Sequence, residues 1–220
     1  MTETVVFDLD GTLVDTLPDI ETAANRALAA EGRRALTRRE IRLLIGSGGR
    51  VLMANAFRAT GEPAPEARID AAFAAYIAAY EADPVAGSAP FPGVHAALEA
   101  LSARGARLAV CTNKPGHLAE IVLETFGLAG FFAGIVAGDT LPTRKPSPEP
   151  LVEAVARAGG AGRKAAMVGD SPIDADAARA AAIPFVAVSF GYSPVPAAEL
   201  GADAVIDGFD ALAGALDGLG

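Results

Sequence analysis

Cysteine occurs once in the 220 residues, at Cys111. No intramolecular disulfide can form, and no cysteine-rich metal site can be assembled. Lysine is nearly as scarce. Fifteen of the 18 basic residues are arginine, and only Lys114, Lys145 and Lys164 are lysine. Against that bias a retained lysine is either chance or a place where a compact ammonium is wanted. No apolar run approaches the roughly 18 residues of a membrane span; the stretch AARAAAIPFVAVSFGY is broken by Arg179 and Pro184. Basic blocks are missing too, apart from RRALTRR (Arg33 to Arg39), and the net charge is −9. A broad nucleic-acid footprint and attraction to an anionic membrane are thereby excluded. An anion can bind only locally, through placed cations or a metal. The chain enters a strand pattern without a basic, signal-like leader. The expectation is a cytoplasmic protein, monomer or homodimer, with no nucleic-acid or membrane partner.

What is present is the balance of a globular chain: 51% hydrophobic and 20% charged residues. Short apolar runs recur at TVVF (4–7), RLAVC (107–111), GIVAG (134–138), AAMVG (165–169) and PFVAV (184–188), with a weaker DAVI (203–206). Helical patterns separate them at 94–104, 117–127, 148–159, 174–182 and 209–219. This alternation predicts an α/β fold with a doubly wound, Rossmann-like parallel sheet. Residues 17–82 break the rhythm with helical patterns only, such as DIETAANRALAAEG and ARIDAAFAAYIAAYEA, and the turn-rich DPVAGSAPFPG (83–93) closes them. They are expected to form an all-helical cap domain inserted into a core of 1–16 and 83–220, with a hinge at the two linkers.

Ligands of open α/β sheets bind beyond the carboxyl ends of the strands. Asp8 and Asp10 follow the first run, and Thr112, Asn113 and Lys114 the second. Asp139 and then Lys145 follow GIVAG, and Asp170, Ser171 and Asp174 follow AAMVG. Carboxylates, a hydroxyl and a lysine therefore converge on one sheet edge. Crowded carboxylates repel unless a cation sits among them, and oxygen ligands at this density suit a hard cation such as Mg²⁺. A carboxylate can attack phosphorus and form an aspartyl-phosphate. A second one, offset by one residue, can serve as acid and then as base. Alone, Asp-Leu-Asp-Gly is equally a strand-ending turn eased by Gly11; the other strand ends favour chemistry.

FDLDGTLVDT, Thr112 after the second strand, Lys145-Pro146-Ser147-Pro148 and GDSPID (169–174) together resemble the haloacid dehalogenase superfamily over the whole chain. The resemblance implies Asp8 as nucleophile and Asp10 as general acid/base. It implies that Thr112 bonds the transferring phosphoryl group and that Lys145 neutralises it and orients Asp8. It places Mg²⁺ on Asp8, Asp170 and the backbone carbonyl of Asp10, with Asp174 supporting the metal or Lys145. Asp174 also fits the third position of a helix capped by Ser171, so capping alone would account for it. The second aspartate, Asp10, argues against dehalogenation. A cap without lysine argues against phosphonate hydrolysis through a Schiff base. A sugar phosphomutase uses similar motifs and stays open as the alternative. So does a phosphatase with another substrate, such as pyridoxal phosphate or pyrophosphate.

TLPDI, IGSGGRVLMANAF, CTNKP and SFGYSP look like the phosphoglycolate phosphatase-like branch of the superfamily. The expected activity is Mg²⁺-dependent hydrolysis of a small phosphorylated metabolite, with 2-phosphoglycolate the first choice. Candidate substrate-binding positions are Gly11, Thr12 and Asn113 beside the strand ends, and Gly48 and Arg50 in the cap. The IGSGG loop offers backbone N–H groups at a helix start, and Arg50 follows at once, so the loop would meet the carboxylate of a small acid such as 2-phosphoglycolate when the cap closes; a plain turn between helices is the competing account. Lys114 either touches substrate or is a solvated loop cation. Asp15 reads as a hinge or helix-start residue. Cys111 sits within a strand and lacks the arginine six residues on that a cysteine phosphatase needs, since His117 stands there.

Overall fold

The computed structural model describes residues 2–160 and 164–219. The first apolar run is β1 (Thr4–Phe7), buried at every position. A two-residue strand, β2 (Val14–Asp15), precedes four helices: α1 (Leu17–Ala30), α2 (Arg38–Arg42), α3 (Gly49–Thr60) and α4 (Glu66–Glu81). The chain returns through β3 (Ala89–Pro90) and then alternates α5 (Val94–Ala103), β4 (Arg107–Cys111), α6 (Gly116–Thr125), β5 (Phe132–Val136), α7 (Glu149–Arg157), β6 (Ala165–Gly169) and α8 (Pro172–Ala180). It ends with β7 (Phe185–Val188), β8 (Ala204–Ile206) and α9 (Leu212–Asp217).

Among the described residues six strands form one sheet in the order β5-β4-β1-β6-β7-β8, every neighbouring pair parallel. The expected doubly wound α/β fold is what the chain adopts. Successive residues of β1 feed opposite faces. Val5 and Phe7 pack with Leu98, Val110, Leu123 and Val168. Val6 packs with Ala109, Leu151, Ala154 and Met167. A strand covered on both faces shows no polar alternation, which is why these runs read as continuous apolar segments. From β1 the chain winds outward first to one side and later to the other. Strand order therefore reverses at β1, and the crevice lies beyond the carboxyl ends of β1, β4 and β6.

The helices between β2 and β3 bury their own core, which includes Ile20, Leu28, Met53, Phe57 and Tyr80. Leu118 of α6 and Tyr192 pack into the same cluster, so this helical segment rests on the sheet's crevice side. β2 and β3 pair antiparallel, Val14 opposite Pro90 and Asp15 opposite Ala89. Two-residue strands leave no periodicity to read, and the sequence suggested only linkers there. The pairing holds the two chain crossings side by side. α2 opens with a capping box in which Thr37 and Glu40 exchange side-chain and backbone hydrogen bonds. No described helix is long and apolar enough to cross a membrane.

Candidate active site

β1 delivers Asp8 into the crevice while its backbone N–H continues the ladder to the Val168 carbonyl at 2.9 Å. The chain then folds back tightly: the Leu9 carbonyl accepts from the N–H groups of Leu13 and Val14. Gly11 makes the turn possible, with φ +85°. A Cβ there would lie 2.7 Å from the Tyr192 ring and 2.8 Å from Asp170 Oδ2. Both the backbone conformation and the space require glycine.

Asp8, Asp170 and Asp174 are buried, and each brings a carboxylate oxygen within 4.8 Å of the others. Lys145, from the loop after β5, places Nζ 2.6 Å from Asp174 Oδ1 and 2.9 Å from Asp8 Oδ1. Asp170 accepts from Thr12 Oγ1 at 3.1 Å and from the Tyr192 backbone N–H at 2.6 Å. Burial pushes Asp8 up to about 7; Lys145 pulls against this, and Asp174 and Asp10 add to it. Burial, then Asp174 and Asp8, holds Asp170 well above the usual carboxylate range. Three carboxylates thus face one ammonium, a surplus of negative charge that a hard cation would relieve. Asp8 Oδ1 is buried, with the Lys145 ammonium as its charged neighbour. An all-carboxylate donor set of three acids around one ammonium fits a divalent metal.

The two accounts of Asp174 prove compatible because they use different oxygens. Oδ2 accepts from Ser171 N at 3.1 Å and Ser171 Oγ at 2.7 Å, completing a capping box at the start of α8. Oδ1 faces Lys145. The Asp10 carboxylate stands outside the acidic cluster; Oδ1 accepts from Thr16 Oγ1 at 2.6 Å and pairs with Lys114 Nζ at 3.0 Å. Thr112 is buried after β4, its hydroxyl accepting from Lys114 N at 3.2 Å. Asp8, Asp10, Thr112, Lys114, Tyr76 and Gly48 line a chamber of about 40 Å³ between the sheet edge and the helical segment. A second cavity of about 220 Å³ runs from Asp8 past Asp170 and Tyr192 to Ile45 and Ser47.

Several expected residues sit otherwise than the sequence suggested. Arg50, expected at the substrate, turns outward: Nε bonds Asp70 Oδ1 at 2.7 Å and Nη2 bonds Glu66. As the second residue of α3 it projects back over the first turn onto acids of α4, the nearest countercharges. Gly48 does face the chamber, with φ +88° at the start of α3. The Asn113 amide is committed to backbone, accepting from Lys145 N at 3.0 Å and donating to Lys145 O and Gly46 O at 2.9 Å each. It fixes the Lys145 loop and the helical segment rather than standing free for substrate. Thr12 likewise supports Asp170, and Gly11 lies beneath it. Lys114 is not a solvated loop cation; it is buried. Tyr192 and Tyr80, which the sequence did not single out individually, anchor Asp170 and Lys114. The scarcity of lysine was the signal for Lys114; SFGYSP marked a motif around Tyr192 without a role. Cys111 is buried with its thiol pushed up to about 12 by burial, so it packs rather than reacts. His117 is at the surface, paired with Glu81.

Residues 5–188 match the family described as haloacid dehalogenase-like hydrolase. The chain belongs to this family. It is 44% identical over 216 residues to the phosphoglycolate phosphatase of Rhodospirillum rubrum, covering 96% of this chain and 90% of that one. A phosphoglycolate phosphatase of Agrobacterium fabrum is also 44% identical, with 96% and 91% covered. These relatives make the chain a phosphoric monoester hydrolase of the phosphoglycolate phosphatase-like kind. Among solved structures, one described as a predicted phosphoglycolate phosphatase from Haemophilus somnus superposes with a TM-score of 0.91 at 30% identity, covering 97% of each chain. CbbY from Rhodobacter sphaeroides, solved in complex with phosphate, gives 0.80 at 29% identity, covering 99% of this chain and all of that one.

Proposed function

We propose that the protein is a Mg²⁺-dependent phosphatase of small phosphomonoesters, with 2-phosphoglycolate, cleaved to glycolate and phosphate, as its substrate. The observation that carries this reading is the buried cluster of Asp8, Asp170 and Asp174 around Lys145, with Asp8 also lining the small chamber. Asp8 attacks phosphorus, the bond to the ester oxygen breaks, and Asp10 protonates the departing alkoxide. Water then hydrolyses the Asp8-phosphate, with Asp10 taking the proton. Lys145 and Thr112 spread the charge of the transferring phosphoryl group. Asp8, Asp170 and the Asp10 carbonyl would hold Mg²⁺, with Asp174 in support; a bound Mg²⁺ supplies neutralisation of phosphoryl oxygens. Residues 17–82 act as a cap over the crevice, excluding bulk water from Asp8. The names of the curated relatives support the substrate.

The test is phosphate release from 2-phosphoglycolate with and without Mg²⁺, beside pyridoxal phosphate, pyrophosphate and hexose phosphates. Mg²⁺-dependent release fastest from 2-phosphoglycolate is the expected result. Release only from other compounds would discard the substrate, and interconversion of hexose phosphates without free phosphate would replace the hydrolase by a mutase.

A further inference from the structure

Among the described residues that line the chamber, Lys114 is the one cation. Its side chain is 3% exposed, and its ammonium reaches Asp10 Oδ1 and Tyr80 Oη at 3.0 Å each. An ammonium has three donors. Two are taken, no third hydrogen bond is made among the described residues, and the side chain lines the chamber. Lys145, by contrast, is held between Asp8 and Asp174. Ile20, Ile45 and Leu52 complete the chamber with apolar walls, and in such surroundings one ammonium discriminates strongly between charged and neutral groups.

We propose that Lys114 is a specificity-determining residue that binds a carboxylate on the alcohol portion of the substrate. The proposal rests on the phosphatase reading above and assigns to Lys114 the role that the outward-facing Arg50 does not fill. An ester with a neutral tail would leave a buried donor unpaired. The rival account is a strut: Lys114 joins the loop after β4 to α4 and does nothing else.

The two accounts separate on a ratio. The kcat/KM for 2-phosphoglycolate is divided by that for 2-hydroxyethyl phosphate, in which a neutral hydroxymethyl group replaces the carboxylate. The wild type should prefer the charged ester on the order of 10²-fold or more. In Lys114→Met that preference should collapse to within about tenfold, whatever the absolute rates. Lys114→Gln retains an amide for Asp10 and Tyr80 and protects the fold, which circular dichroism checks; it should collapse the ratio too. A wild-type ratio near one overturns the proposal while leaving the phosphatase standing. So does a folded variant in which both esters slow equally, which is the signature of a strut. Phosphate from neither ester removes the proposed function and this inference with it.

Discussion

The Tyr192 hydroxyl donates to Asp15 Oδ1 at 2.6 Å and accepts from the Leu17 backbone N–H at 2.9 Å. The same residue's backbone N–H donates to Asp170 Oδ2. Tyr192 therefore joins an acid of the cluster to the point where the chain leaves β2 for α1. Arg42 of α2 donates to the neighbouring Gly191 carbonyl and reinforces the joint. Tyr192→Phe keeps the ring on Gly11 and the bond to Asp170 but removes the tie to Asp15 and Leu17. The loss of a buried hydroxyl's partners should cost about 1–3 kcal/mol in urea unfolding. It should also lower kcat/KM for the preferred ester, since the cap would seat less firmly. Unchanged stability and kinetics would mean that the joint is held elsewhere.

Asp8→Asn tests nucleophile and electrostatics together. Removing the attacking group should lower phosphate release at least about 10⁴-fold. Burial holds Asp8 up to about 7, so above that pH the metal-free protein carries a buried charge at a cost. Asparagine is near-isosteric and uncharged. Metal-free Asp8→Asn should therefore melt no lower than the metal-free wild type at pH 8, and the advantage should shrink toward pH 5. An inactive variant that also melts well below wild type at pH 8 would show that Asp8 is chiefly a structural partner of Lys145.

The metal-free protein should lose stability as pH rises. Asp8 and Asp170 are raised in the folded state. Between the usual carboxylate range and about 7 the folded chain keeps protons that the unfolded chain has released. Stability falls with pH wherever the folded state binds more protons, by up to about 1.4 kcal/mol per pH unit for each such group. Mg²⁺ competes with those protons, so the gain in melting temperature on adding Mg²⁺ should grow from pH 5 to pH 8. Thermal unfolding in chelator and in Mg²⁺ across that range reads both slopes. A metal-free melting temperature that climbs with pH would mean that the acids are not crowded in solution.

Much of this was legible before any coordinates. Strands buried on both faces announce themselves as unbroken apolar runs, and the residues just past β1, β4 and β6 had to meet at the reversal of strand order. Asp8, Thr112, Asp170 and Asp174 follow from that single topological fact, and Lys145 joins them from the longer loop after β5. What did not follow is orientation. Sequence places Arg50 beside a glycine loop at the crevice, but Glu66 and Asp70 of α4, sixteen and twenty residues on, decide where its guanidinium points. Asn113 sits beside Thr112 as a free amide would, yet Lys145 and Gly46 use both of its ends. The Tyr80 partner of Lys114 lies 34 residues away, on a helix whose rotation against the sheet no local pattern specifies.

Arg50 supplies the sharpest check on that correction. Its side chain is 38% exposed, and its partners Glu66 and Asp70 are 77% and 59% exposed. Ion pairs in that setting contribute little because water and salt screen them. Arg50→Ala should leave KM for 2-phosphoglycolate within about twofold of wild type, and raising the salt concentration should not change the comparison. Lys114→Gln, assayed alongside, should shift the same parameter by far more. If Arg50→Ala instead raised KM tenfold or more with kcat preserved, the arginine would have to leave Glu66 and Asp70 when substrate arrives. The start of α3 would then be the moving part of the cap, and the recognition of the acid would be shared between Arg50 and the chamber.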